Sequence, residues 1–118
     1  VDGLIAAMER TQAPLTIVTT PNNPTGLALS REDLEGLIEN APGIIVVDEA
    51  YVEFNPEGSV LDLMDQFPNL LILRTLSKAF GLAGMRLGYM IGHPTLIKEL
   101  MKSRLPFMVD RIAEAAAV

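Results

Sequence analysis

The chain has 118 residues, 15 acidic against 9 basic side chains and a formal charge of −6 at pH 7. That length accommodates one domain at most, and a content of 49% hydrophobic and 20% charged residues suits a packed core and excludes a disordered chain. The acidic balance argues against a nucleic-acid or anionic-membrane surface, the absence of cysteine excludes disulfides and thiolate chemistry, and no apolar run of ~18 residues offers a membrane span.

Val1, Leu4, Ile5 and Met8 recur at helical spacing and predict an opening helix. Leu15 to Thr20 is a β-branched run, a strand stopped by the Pro-Asn-Asn-Pro-Thr-Gly cluster. Ser30, three before Asp33, resembles a capping box and starts a helix whose buried stripe is Leu34, Leu37 and Ile38. Pro42-Gly43 breaks that helix, and Ile44 to Val47 follows as a strand apolar on both faces. A short helix is expected over Leu61 to Phe67, then a third doubly buried strand over Leu70 to Leu73 and a weaker fourth over Leu87 to Ile91. Pro94 opens one more helix, and Pro106 opens a last one running to Val118. Continuous apolar strands alternating with helices predict a three-layer α/β fold, a mostly parallel sheet with helices on both faces. The chain starts with Val rather than Met and ends in Ala-Ala-Ala-Val without a capping Gly or Asn, and is read as a piece of a longer polypeptide. Without a basic n-region or an apolar signal core at its start, the expected compartment is the cytoplasm.

Ligands of parallel α/β sheets bind beyond the carboxyl ends of the strands. The first three strands are each followed at once by chemically capable residues: Asn22-Asn23-Pro24-Thr25-Gly26, then Asp48-Glu49-Ala50-Tyr51, then Thr75-Leu76-Ser77-Lys78. Arg86 lies eight residues beyond Lys78, past a Gly-Leu-Ala-Gly bend able to fold it back. Each residue has an ordinary alternative. A lone lysine is usually a solvated surface group, Asp48 suits an N-cap, Asn23 a turn, Tyr51 the core and Arg86 a surface ion pair. Their convergence on one sheet edge is the signal. His93 is the only histidine, so neither a metal cluster nor a Ser-His-Asp triad is available; GxGxxG and Walker loops are absent too.

PNNPTG, VVDEAYVEF and RTLSKAFGLAGMRLGY, in this order and spacing, resemble the pyridoxal-phosphate aminotransferases of fold type I, and among them most nearly the histidinol-phosphate aminotransferases. The resemblance implies that Lys78 forms a Schiff base with the cofactor aldehyde and then moves the substrate's α-proton, with Arg86 expected close by. It implies that Asp48 keeps the pyridine nitrogen protonated, that Tyr51 and Asn23 bond the ring's phenolic oxygen, and that Thr75, Ser77 and Arg86 hold the phosphate. The implied partners are an amino donor, histidinol phosphate, and a 2-oxo acid acceptor, 2-oxoglutarate, in a homodimeric enzyme of histidine biosynthesis.

The resemblance covers the chain, but the chain would be only the central part of the cofactor-binding large domain. The N-terminal segment, the small domain, the glycine-rich phosphate turn, the ring-stacking aromatic and the substrate-carboxylate arginine would lie elsewhere. The 118 residues by themselves are therefore expected to bind the cofactor weakly and not to turn over. Alternatives are an aromatic-amino-acid aminotransferase, a decarboxylase of an amino-acid phosphate using the same cofactor, and a non-catalytic fragment or scaffold; retention of Lys78 and Asp48 speaks against the last.

Overall fold

The computed structural model describes residues 1–117. Four strands form one sheet in the order β1 (Leu15–Thr19), β2 (Ile44–Asp48), β3 (Leu70–Thr75), β4 (Gly88–Gly92). β1, β2 and β3 are parallel, with Val18 opposite Val47 and Val47 opposite Ile72. β4 runs antiparallel to β3, pairing Ile72 with Ile91 and Thr75 with Gly88. The expected mostly parallel α/β sheet is thus present, with its weakest strand reversed.

Helices α1 (Asp2–Thr11) and α2 (Arg31–Glu39) cover one face. Met8, Leu34, Leu37 and Ile38 close over Val18, Ile45, Val47, Leu70 and Ile72, with Val60 and Leu63 completing the core. The α2 cap is the one its sequence announces, since Ser30 Oγ accepts from the Asp33 N–H at 3.1 Å. Gly43 is needed where β2 begins, because a Cβ there would stand 2.4 Å from the Pro14 carbonyl oxygen.

The second face is covered unevenly. α3 (Pro94–Met101) lies against it near β4, where the bare Cα of Gly92 leaves space for Leu71 and Ile97. At the other end Leu15 is 52% and Ile17 63% exposed. The first strand is therefore covered on one face only, which its uniform apolar run does not reveal.

Two helix expectations are corrected. Leu61 to Phe67 is a 3₁₀ turn over Leu61–Leu63 followed by further turns; burying Val60 and Leu63 together suits the three-residue repeat of a 3₁₀ turn. The last helix, α4, spans Arg111–Ala116 rather than starting at Pro106. Phe107 takes a left-handed φ of 60°, which interrupts a helix. Asp110 starts α4 instead, its Oδ1 accepting from the Ile112 and Ala113 N–H groups, both at 2.8 Å. The expected end at Val118 lies outside the described residues. No helix among the described residues is long and apolar enough to cross a membrane.

Candidate active site at the strand ends

Asp48 and Thr75 are the last residues of β2 and β3. Strand register and alternation put both on the face that carries Val46 and Leu71. They line a cleft of ≈ 420 Å³ with Leu73, Gly88 and Met90. Asp48 is half-buried, and Oδ1 accepts the Ala50 N–H at 3.0 Å. That is its only side-chain hydrogen bond among the described residues, so most of the carboxylate's acceptor capacity is open to a ligand.

Thr75 Oγ1 accepts from the Ser77 N–H at 3.1 Å and donates to the Leu87 carbonyl at 3.3 Å. The loop that follows is closed at its base by the Leu82 N–H on the Leu76 carbonyl, at 3.0 Å. Within it the Gly81 N–H bonds the Lys78 carbonyl at 3.0 Å, and Gly81 takes a φ of 68° that only glycine adopts without cost. Lys78 stands exposed on this loop, with no carboxylate partner among the described residues.

The first loop meets the second from the side. Asn23 Nδ2 donates to the Tyr51 hydroxyl at 2.8 Å, and Lys78 Nζ lies 5.4 Å from the Tyr51 ring centroid. That is cation–π distance. Asn23, Tyr51 and Phe54 line a second cleft of ≈ 660 Å³. The Asn23 loop is held by its own contacts, with the Gly26 N–H on the Asn22 carbonyl at 2.7 Å and Thr25 Oγ1 on Asn22 Oδ1 at 2.9 Å. Asn23, Tyr51 and Lys78 therefore form one contact group, while Asp48, Thr75 and Ser77 line the neighbouring strand ends.

Arg86 is not folded onto them. Its Nη1 donates to the Ala83 carbonyl at 3.1 Å and the side chain is exposed. Its backbone is left-handed, with φ 51°, an uncommon state for a residue with a Cβ and one that accumulates at functional sites. The expected closeness of Arg86 to Lys78 is thus absent from the contacts seen here.

A buried network was missed in the sequence. Glu49 is 0% exposed; its Oε2 accepts from Arg74 Nε at 2.9 Å, Arg74 Nη2 at 2.8 Å and Ser59 Oγ at 3.2 Å, and its Oε1 from the Val60 N–H at 2.8 Å. Burial alone would lower the Arg74 pKa, but bonding and charge from Glu49, with a contribution from Tyr89, outweigh it and the guanidinium is raised. The available signal was period-two alternation: Glu49 and Arg74 each stand one residue from a site residue, on the opposite face.

All 118 residues match the family model for aminotransferases of class I and II. The chain belongs to that family. It is 49% identical over 114 residues to a histidinol-phosphate aminotransferase of Chlorobaculum tepidum, covering 97% of this chain and 33% of the relative. Its fold is similar to that of a histidinol-phosphate aminotransferase from Sinorhizobium meliloti in complex with pyridoxal-5'-phosphate, with a TM-score of 0.90 and 36% identity over 98% of this chain and 33% of the other. L-threonine-O-3-phosphate decarboxylase from Porphyromonas gingivalis is also similar, with a TM-score of 0.78 and 27% identity over 87% of this chain and 32% of the other. The chain spans about a third of the length of these relatives.

The site suits the family's cofactor chemistry on its own donor set. A partly unpaired carboxylate, a phenol already bonded to an amide, hydroxyls at a strand end and an amine without a counter-charge match a cationic ring nitrogen, a phenolate, a phosphate and an aldehyde.

Proposed function

We propose that the full-length protein is a pyridoxal-phosphate-dependent aminotransferase that moves the amino group of histidinol phosphate to 2-oxoglutarate, leaving the corresponding ketone and glutamate. The chain would be the central part of its cofactor-binding large domain, in a cytoplasmic homodimer. The observation that carries the reading is the contact group of Lys78, Tyr51 and Asn23, delivered by loops that leave the same sheet edge as the partly open carboxylate of Asp48.

When bound, the cofactor supplies an electron sink for the carbanion left by α-proton removal. Asp48 would hold the proton on the ring nitrogen, which sustains that sink. Tyr51 and Asn23 would bond the phenolic oxygen, while the Thr75 and Ser77 hydroxyls and the Arg86 guanidinium would hold the phosphate. Lys78 Nζ would carry the cofactor and, once released, take and return the substrate's α-proton. The histidinol-phosphate relatives support the donor assignment, and the likeness to a phosphothreonine decarboxylase supports a second reading in which the same residues serve loss of carbon dioxide.

The test uses the full-length protein with cofactor, histidinol phosphate and 2-oxoglutarate. Glutamate should form, and borohydride should fix the cofactor onto the peptide containing Lys78. Lys78→Ala should lower the rate by roughly a thousandfold or more, equivalent to about 4 kcal/mol. A label on Lys98 or Lys102 would overturn the assignment of the amine. Carbon dioxide release from an amino-acid phosphate would favour the second reading, and a strong preference for phenylalanine or tyrosine would replace the donor. The 118 residues alone should give no turnover, since β1 leaves an open edge and an uncovered face.

A further inference from the structure

Building on that cofactor reading, we infer that Glu49 is a positioning residue. Through Arg74 and Ser59 it fixes the exits of β2 and β3 relative to each other, so that Asp48 and the Lys78 loop address one ligand.

The last backbone bond between these two exits is the Glu49 N–H on the Leu73 carbonyl, at 2.9 Å. Beyond it the chains part, β2 into the turn that carries Tyr51 and β3 into the loop that carries Lys78. Alternation sends Asp48 and Thr75 to one face and Glu49 and Arg74 to the other. The Glu49–Arg74 pair therefore ties the two exits together from the side opposite Asp48 and Thr75, and Arg74 also borders the Asp48 cleft.

The tie is directional throughout. Both Glu49 oxygens accept hydrogen bonds, and Arg74 Nη2 also reaches Ser59 Oγ at 2.9 Å, closing a triangle of three side chains. The Arg74 side chain is only 18% exposed. A buried ion pair is weak evidence of stability, since apolar side chains of similar volume often serve as well, and its best-attested use is to fix register. A second ion pair gives the contrast. Arg31 bonds Asp62 at 2.7 Å and reaches Ser59 at its backbone carbonyl, at 2.9 Å, not at the hydroxyl that meets Glu49 and Arg74; it joins α2 to that turn and bonds neither strand exit.

The experiment compares Glu49→Gln with Arg31→Gln in the full-length protein loaded with pyridoxal phosphate. Gln at 49 can still accept the Val60 N–H but removes the charge facing Arg74. The readouts are the midpoint of the pH titration of the bound cofactor's visible absorbance, and kcat and KM taken separately. Glu49→Gln should move the midpoint by about one pH unit and lower kcat about 10- to 100-fold, the scale of a small misplacement of reacting groups, with KM little changed. The Glu49→Gln/Arg74→Gln pair, neutral on both sides, should recover part of both losses. Arg31→Gln should leave midpoint and kcat in place. A Glu49→Gln protein that melts earlier but titrates and turns over like Arg31→Gln overturns the inference. If Glu49→Gln fails to fold, Arg74→Lys keeps the charge and loses the Nε contact; it should move the midpoint in the same direction by less, and an unmoved midpoint there is equally fatal. A wild-type protein that takes up no pyridoxal phosphate, with no visible band for borohydride to abolish, overturns the cofactor reading itself, and the inference with it.

Discussion

On one face of the sheet the exits of β2 and β3 present Asp48 and Thr75, and on the other, one residue further along or back, they present Glu49 and Arg74. The two acids are neighbours in the chain and live in opposite conditions. Glu49 is fully buried with both oxygens engaged, while Asp48 is half-buried with a single N–H bound to it. A carboxylate closed on all sides shapes the protein, whereas one left partly open keeps its acceptor strength for something that arrives later. The same contrast separates the two arginines: Arg74 is partly buried and held by Glu49 and Ser59, and Arg86 is exposed, its side chain bonding only its own turn among the described residues.

Truncation breaks this comparison most severely on the buried side. In the full-length protein Glu49→Ala should cost about 3–5 kcal/mol of unfolding free energy, because it strands the Arg74 charge and the Val60 N–H. Asp48→Ala should cost less than about 1 kcal/mol, and paired urea titrations read both. Activity should show the reverse order. Asp48→Asn retains an acceptor for the Ala50 N–H and should leave the melt almost unchanged, yet slow turnover roughly a hundredfold, about 3 kcal/mol for a lost charge-assisted bond. A rate near that of the wild type would remove Asp48 from the site.

Away from both faces, Ser30→Ala should cost about 1 kcal/mol by leaving the Asp33 N–H without its cap, with no change in rate. The smallest effect belongs to Asp62, whose carboxyl is held below its usual range mainly by the hydrogen bond from Arg31. A depressed carboxylate contributes stability that is present above its unfolded pKa, about 4, and is lost as pH falls through the lower folded value. Asp62 is 70% exposed, so screening keeps the contribution slight. Asp62→Asn should make the urea midpoint slightly less sensitive to pH between 5 and 2.5 than in the wild type.

Most strands and helix starts were legible because local rules agree with the tertiary answer. Ser30 capped its helix as expected, the β-branched runs became strands, and Asn23, Asp48 and Thr75 fell at or just beyond strand ends. The misplaced starts were marginal segments. Pro106 is a common helix opener, but Asp110 supplies two acceptor contacts to free N–H groups and the left-handed Phe107 turn stands between them. Leu61 to Phe67 was expected as a short helix, yet a single 3₁₀ turn over Leu61–Leu63 already buries Val60 and Leu63. The link between Lys78 and Tyr51 was expected only as convergence on an edge, since side-chain distances across 27 positions of chain are not set by spacing.

Sequence by itself determined the α/β class, the succession of strand ends and the identity of the groups delivered there. These follow from apolar periodicity and from turn chemistry, both of which act within a few residues. Tertiary structure alone decided that β4 runs backwards, that β1 is covered on one face, and that Glu49 serves the interior while Asp48 faces the cleft. Strand direction and coverage depend on which elements meet, and an acid's role depends on the partners that burial brings to it. For Glu49 that partner, Arg74, stands 25 residues away in the chain and 2.8 Å away in space.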